Sequence, residues 1–172
     1  ITGTATSNVN SPETGPGWAW AAMLLNNLEQ SAAYNAVNFS LPITVPASGT
    51  ARAISLSVFL CPSSTGGVGP VVLKDASGTK LITDLSPGQY VASAGQLEVE
   101  EFPAQNNGVF YRNSRNGLRD VTDGSSTTLM AGERSRNVAD ATWVGVIPYS
   151  RVCTNPNWKV QDCETANVMV LG

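Results

Sequence analysis

Pro42 and Pro46 divide this chain into two unlike parts, because a proline ring can neither continue a helix nor donate to a sheet ladder. Before them, Trp18, Ala22, Leu25, Leu28 and Ala32 recur at helical spacing and define one apolar stripe. Trp20, Met23 and Leu24 widen that stripe, so the spacing predicts a largely buried helix over residues 17–37. Its length would be about 30 Å from the α-helical rise. After the prolines come only short β-favouring runs, at 54–60, 71–74, 80–83, 90–93, 97–102, 109–112, 127–131, 142–148 and 167–171. Turn dipeptides separate several of them, among them Ser77-Gly78, Asn116-Gly117 and Asp123-Gly124. One helix followed by many strands predicts an α+β fold, a long N-terminal helix packed on an antiparallel β-sheet. Residues 1–16, rich in Ser, Thr, Asn, Pro and Gly, read as an extended lead-in. Residues 17–172 read as a single globular domain, long enough to bury a core.

Composition narrows the chemistry. The chain has no histidine, which excludes a Ser-His-Asp triad, an imidazole base and any His-containing metal site within it. Only 13% of the residues are charged against 42% hydrophobic, a balance suited to a strand-rich secreted or surface domain. A net charge of −3 argues against nucleic acid as a partner, since phosphate binding needs a concentrated basic face. Arg112, Arg115, Arg119, Arg134 and Arg136 cluster in sequence, but Asp120, Asp123 and Glu133 are interleaved with them and predict ion-paired surface groups. Of the three cysteines, Cys153 and Cys163 bracket a turn-rich segment, Thr-Asn-Pro-Asn-Trp-Lys-Val-Gln-Asp, and predict a disulfide in an oxidising compartment. Cys61 is left over, and there is no Cys-x-x-Cys pair to suggest structural zinc. No stretch approaches the roughly 20 apolar residues of a membrane-spanning helix.

Three segments carry a family likeness: Gly17–Ser40 (GWAWAAMLLNNLEQSAAYNAVNFS), Phe59–Ser64 (FLCPSS) and Asn107–Ser135 (NGVFYRNSRNGLRDVTDGSSTTLMAGERS). In these words the chain resembles a large bacterial family of prepilin-type proteins, related to type IV pilins and pseudopilins. The resemblance implies a pilin-like architecture, a hydrophobic helix upstream of Ile1, and an extracellular, cell-surface or periplasmic location. It implies a structural or assembly subunit of a pilus- or pseudopilus-like filament rather than an enzyme. Its partners would be other copies of itself or related subunits, with membrane attachment only through that upstream helix. Loops 106–116 and 155–161 would then be presented outward. Members of the family commonly end in a His, a spacer and an Asp-Gly strand. Here the last residues, Asn167–Gly172, carry no histidine, which marks a divergent or trimmed terminus.

Asp120 and Asp123, three residues apart beside a glycine turn, offer oxygen ligands to calcium, an ion that some pseudopilins hold in a loop of the sheet. The alternative is an ordinary turn closed by local hydrogen bonds; calcium is the only cofactor suggested. Glu98, Glu100 and Glu101 form an acidic run that could serve a histidine-free, carboxylate-based hydrolase, but the alternation with Leu97 and Val99 is that of a solvated face. Of the four tryptophans, Trp18 and Trp20 sit in the helix that the resemblance assigns to the core, and Trp143, inside the apolar run 141–148, also reads as core. Only Trp158, in a polar turn, reads as exposed; the second functional reading, a polysaccharide-binding module, would place Trp158 or Tyr149 on a flat exposed face.

Overall fold

The computed structural model describes residues 15–97, 99, 102, 106–153, 157–159 and 162–171. The expected long N-terminal helix is not there. Helix α1 (Trp20–Leu24) runs into a 3-10 turn at Leu25–Leu28, and Glu29 then adopts the left-handed conformation, φ 59°, returning its N–H to the carbonyl of Leu25. A new short helix, α2 (Ser31–Ala36), starts after this break. Asn26 and Asn27, weak helix formers, occupy the turn where the first helix tightens and ends. The left-handed residue also rotates α2 relative to α1, so the stripe read through Ala32 is interrupted: Ala33 is buried there and Ala32 faces water. Met23 and Leu24, expected in the core, are exposed as well. The pilin-like arrangement of one long helix laid on a sheet is therefore replaced by short helices beside two small sheets.

Helix α3 is a single turn (Gly49–Arg52). The larger sheet contains β1 (Val71–Lys74), β2 (Lys80–Leu85), β5 (Arg151–Val152) and β6 (Glu164–Thr165), in the order β2-β1-β5-β6 with antiparallel neighbours. The smaller one pairs β3 (Tyr90–Ala92) with β4 (Ala131–Glu133). Several expected strands take other forms. Residues 54–60 contain a 3-10 turn at Ser57–Phe59 that buries Phe59 and exposes Val58. Residues 167–171 likewise curl into a 3-10 turn, Ala166–Met169. The 109–112 run is bent, and strand pairing after the Asp-Gly turn begins only at Ala131. Glu98, Glu100 and Glu101 lie outside the described residues, as do residues 1–14, Asn155 and Gln161.

An irregular segment, 141–147, passes through the centre and holds the parts together. Trp143 is 1% exposed, stacks on Phe59 with ring centroids 6.2 Å apart, and donates its indole N–H to the carbonyl of Ile54 at 3.1 Å. Thr142, also buried, donates its hydroxyl to the Ser86 carbonyl at 2.6 Å and accepts the Val144 N–H at 3.1 Å. On the other side, Ala19 donates to Val144 and Val146 donates to Gly17, both at 2.9 Å. Trp18, Leu25, Ile43, Leu73, Leu85 and Met169 fill the space around it. Trp18 and Trp143 are thus core residues, as their surroundings in the sequence suggest.

The β1–β2 hairpin is the most locally determined part. Asp75 Oδ1 accepts the N–H groups of Ser77 (2.8 Å) and Thr79 (2.9 Å) and the Ser77 hydroxyl (2.6 Å). The Ser77 hydroxyl, helped by the backbone N–H groups of Thr79, Ser77 and Gly78, holds the carboxyl below the ordinary aspartate range against the desolvation that raises it. A folded pKa below the unfolded one adds stability that is complete above the unfolded value, about 3.9, and is lost as pH falls through the folded value. Asp75→Asn is therefore expected to lower the melting temperature at neutral pH. The gap from wild type should narrow in acid, as pH falls below the ordinary aspartate value and through the lowered folded one. Melting curves across that range check it; a gap independent of pH would show that the carboxylate charge is irrelevant to the turn.

Candidate functional site

Among the described residues, two depressions border the middle of the molecule. The larger is a groove of about 660 Å³ between α1 and the loop 109–116. Its floor is Trp20, which packs on Phe110 with ring centroids 5.6 Å apart and donates its indole N–H to the Val170 carbonyl at 3.0 Å. Met23 and Leu24, each 39% exposed, form one wall because the short α1 turns them away from the core. The opposite wall is a turn held by its own side chains. Ser114 donates its N–H to Tyr111 and accepts the Tyr111 N–H on its hydroxyl, and Asn116 donates its amide to the Val109 carbonyl at 3.1 Å. Asn113, at φ 60°, takes the left-handed conformation that Asn tolerates best among non-glycine residues. Arg115 supplies the formal charge among the residues lining the groove. Ser114 and Tyr111 bring hydroxyls there, and among the described residues no carboxylate, lysine or thiol lines the same space to activate them. The groove can hold apolar and aromatic groups; among the described residues it has no nucleophile–base pair.

The smaller pocket, about 380 Å³, lies between the start of the loop after β4 and β6, with Arg134 and Glu164 among its lining residues. Burial pushes the Arg134 guanidinium below its ordinary range while the negative charge of Glu164 pushes it back up. Its Nη1 donates to the Val168 carbonyl, and its backbone N–H donates to Gln89 at 2.8 Å. Arg112, expected on the surface, is buried at 4% exposure, and desolvation lowers its pKa too. Arg136 pairs with Asp140 at 2.6 Å, while Arg119 lies 3.8 Å from Asp120 on the outside. The arginine cluster of the sequence is therefore dispersed between interior and surface.

Asp120 Oδ2 accepts the Gly117 N–H at 2.8 Å and caps the 3-10 turn Leu118–Asp120. Asp123 offers its carbonyl to the Thr127 hydroxyl at 2.8 Å. Among the described residues no group of three or more His, Cys, Asp or Glu side chains is placed to hold a metal ion. Cys153 and Cys163 form a disulfide, with a sequence separation of 10 residues. Closing a loop of that size removes about 3 kcal/mol of unfolded-chain entropy in the chain-entropy picture. Cys61 is a free, partly buried thiol 3.0 Å from the Ser63 hydroxyl. Tyr149 and Trp158 are both exposed, at 70% and 45%, and neither joins an aromatic pair among the described residues.

Sequence reasoning missed Gln89, the residue that ties three segments together. It is buried, donates its N–H to Phe59, accepts the Cys61 N–H on its side chain at 2.5 Å, and accepts the Arg134 N–H on its carbonyl. Ser-Pro-Gly-Gln-Tyr has no local signature for such a role. Asn106 and Asn107 belong to a loop expected to be presented outward, yet Asn106 is buried. In the structure their amide oxygens accept the N–H groups of Leu97 and Gln96, at 3.2 and 2.9 Å, and Asn106 also donates to Leu97 O at 2.7 Å.

Among known proteins, residues 2–169 match the family described as "Protein of unknown function (DUF1559)". No curated protein and no solved structure matches the chain. Among the described residues no helix is long and apolar enough to cross a membrane.

Proposed function

We propose that this chain, which belongs to the DUF1559 family, is a non-catalytic structural subunit of a cell-envelope or pilus-like assembly outside the cytoplasm. The observation that carries the reading is the groove itself. Two of the segments that bear the prepilin-type resemblance, 17–40 and 107–135, meet there through Trp20 and Phe110. They leave Met23 and Leu24 in water beside a braced polar turn. Large apolar side chains rimmed by polar groups are what protein contact surfaces present. The Cys153–Cys163 disulfide supports an oxidising compartment. An apolar helix upstream, as the resemblance implies, would hold the subunits to the membrane or to one another, and this domain would form the outer layer.

The test is site-specific photo-crosslinking of the full-length protein in native cell envelopes, with the probe at Met23 and a control probe at exposed Val68. The expected result is crosslinks from Met23, but not from Val68, to another copy of this chain or a related subunit, with Leu24→Asp dispersing the assembly. A monomeric full-length protein whose Met23 probe captures no subunit would overturn the reading. The exposure of Trp158 and Tyr149 favours a second reading, polysaccharide binding. Retention on insoluble glycans that disappears in Trp158→Ala would put it first.

A further inference from the structure

Asn107, Asn116 and Asp123 each precede a glycine, and each has a side chain able to close a five-membered ring on the next backbone nitrogen. Glycine favours that closure because it adds no side chain to hinder the approach. The fold treats the three pairs differently. At Asn107-Gly108 both reacting groups are tied: the Gly108 N–H donates to Ala94 O at 2.8 Å, and Asn107 Oδ1 accepts the Gln96 N–H at 2.9 Å. At Asn116-Gly117 the nitrogen donates to Asp120 Oδ2 at 2.8 Å, and the Asn116 amide donates to Val109 O at 3.1 Å. Asp123-Gly124 is the exception. Residues 122–127 are all exposed, and among the described residues neither the Asp123 carboxylate nor the Gly124 N–H makes a hydrogen bond or an ion pair.

What the fold does hold is the oxygen of the same peptide group. Thr127 Oγ1 lies 2.8 Å from Asp123 O and 3.0 Å from Gly124 O, as a forked donor. Asp123 O and the Gly124 N–H belong to one amide. A donor on the oxygen draws electron density from the nitrogen and makes its proton easier to lose. The Thr128 hydroxyl and the Thr127 N–H also meet Gly124 O, at 3.0 and 3.1 Å, and brace the glycine at φ 92°.

We propose that Asp123-Gly124 is a self-modifying site, where the backbone rearranges to isoaspartate with Thr127 as the positioning residue. The Gly124 nitrogen attacks Cγ of the protonated Asp123 carboxyl. An N–Cγ bond forms, a Cγ–O bond breaks, and the amide proton leaves with the carboxyl hydroxyl as water, giving a cyclic imide. Water then adds to either imide carbonyl. Cleavage between nitrogen and the Asp123 main-chain carbonyl carbon leaves the chain running through the side chain, whereas cleavage at Cγ restores aspartate. No oxidant, reductant or cofactor enters, and the net charge is unchanged. The product lengthens by one carbon the turn that precedes β4.

Prolonged incubation of the folded chain at neutral pH, followed by peptide mapping with electron-transfer fragmentation, tests this. Isoaspartate should accumulate at 123 while Asn107 and Asn116 keep their amides. In urea both Asn-Gly pairs are released and should react ahead of it, because an amide is a better electrophile than a carboxylate. Thr127→Val should slow the folded-state rate by about fivefold, the worth of one hydrogen bond, and Thr127→Ser should restore it. Absence of isoaspartate at 123 in the folded chain, over the time in which the Asn-Gly pairs react in urea, would overturn the assignment. So would equal rates in Thr127→Val and wild type, with circular dichroism showing both folded, because the Thr127 contact would then only shape the turn.

Discussion

Gly145→Ala is expected to destabilise the fold by about 3 kcal/mol or more. Gly145 sits at φ 154°, bridged to Trp18 where the 141–147 segment crosses the N-terminal strand-like entry. A β-carbon there would run into the carbonyl oxygen of Gly17 and lie 2.7 Å from Ile43 Cδ1 and 3.0 Å from the Ala19 nitrogen. Two of those three are backbone atoms, so a rotamer change cannot relieve the clash. Gly17, at φ 82°, is constrained from the opposite side, its β-carbon site 2.6 Å from Val146 O. Making room would break the Val146-to-Gly17 and Ala19-to-Val144 hydrogen bonds that tie entry segment to core. Gly132→Ala is the matched control, because nothing lies within 4 Å of the β-carbon it would add. Urea denaturation should place that variant within about 0.5 kcal/mol of wild type. Gly145→Ala with a wild-type midpoint would show that the two backbones are free to separate.

Arg52→Leu should cost about 2–3 kcal/mol. Arg52 Nε and Nη2 grip Asp84 at 2.8 and 3.1 Å, and Nη1 reaches the carbonyls of Ile43 (2.9 Å) and Val45 (3.1 Å). The Arg52 carbonyl also accepts the Ser86 N–H. One side chain therefore joins α3, the proline-flanked loop and β2. The arginine side chain is only 11% exposed, whereas Asp84 is 42% exposed, so water screens part of the ion pair and the figure is set below that of a fully buried one. Leucine would fill the volume but leave two carbonyls unmet. Arg52→Lys restores the charge without the fork that meets a carboxylate and two carbonyls together, and should recover less than half of the loss. Equal unfolding midpoints for Arg52→Lys and wild type would show that charge alone holds these elements.

Neither effect could be read along the chain. The contacts of Gly145 with Gly17 and of Arg52 with Asp84 join segments far apart in sequence, and nothing in the residues beside them signals the partner. The groove was half legible. Its two walls lie in the segments singled out for their likeness, but the apolar spacing placed Met23 and Leu24 inside, whereas the structure leaves both exposed. The smaller pocket was not legible at all, because Arg134 looked like one of several surface arginines and Glu164 carried no signal.

What the residues determined by themselves is local or compositional. The Asp75-to-Thr79 turn follows from side chains that bond the backbone two and four residues on. The Cys153–Cys163 bond follows from a short, turn-rich spacer, and the lack of an imidazole from composition alone. The apolar settings of Trp18 and Trp143 announced a core. Tertiary structure alone decided where the first helix stops, which arginines go inside, and which backbone groups Gln89 and Arg52 satisfy. The reason is that hydrophobic spacing and turn chemistry act over a few residues. A buried polar group must find its partner wherever the rest of the chain happens to bring one.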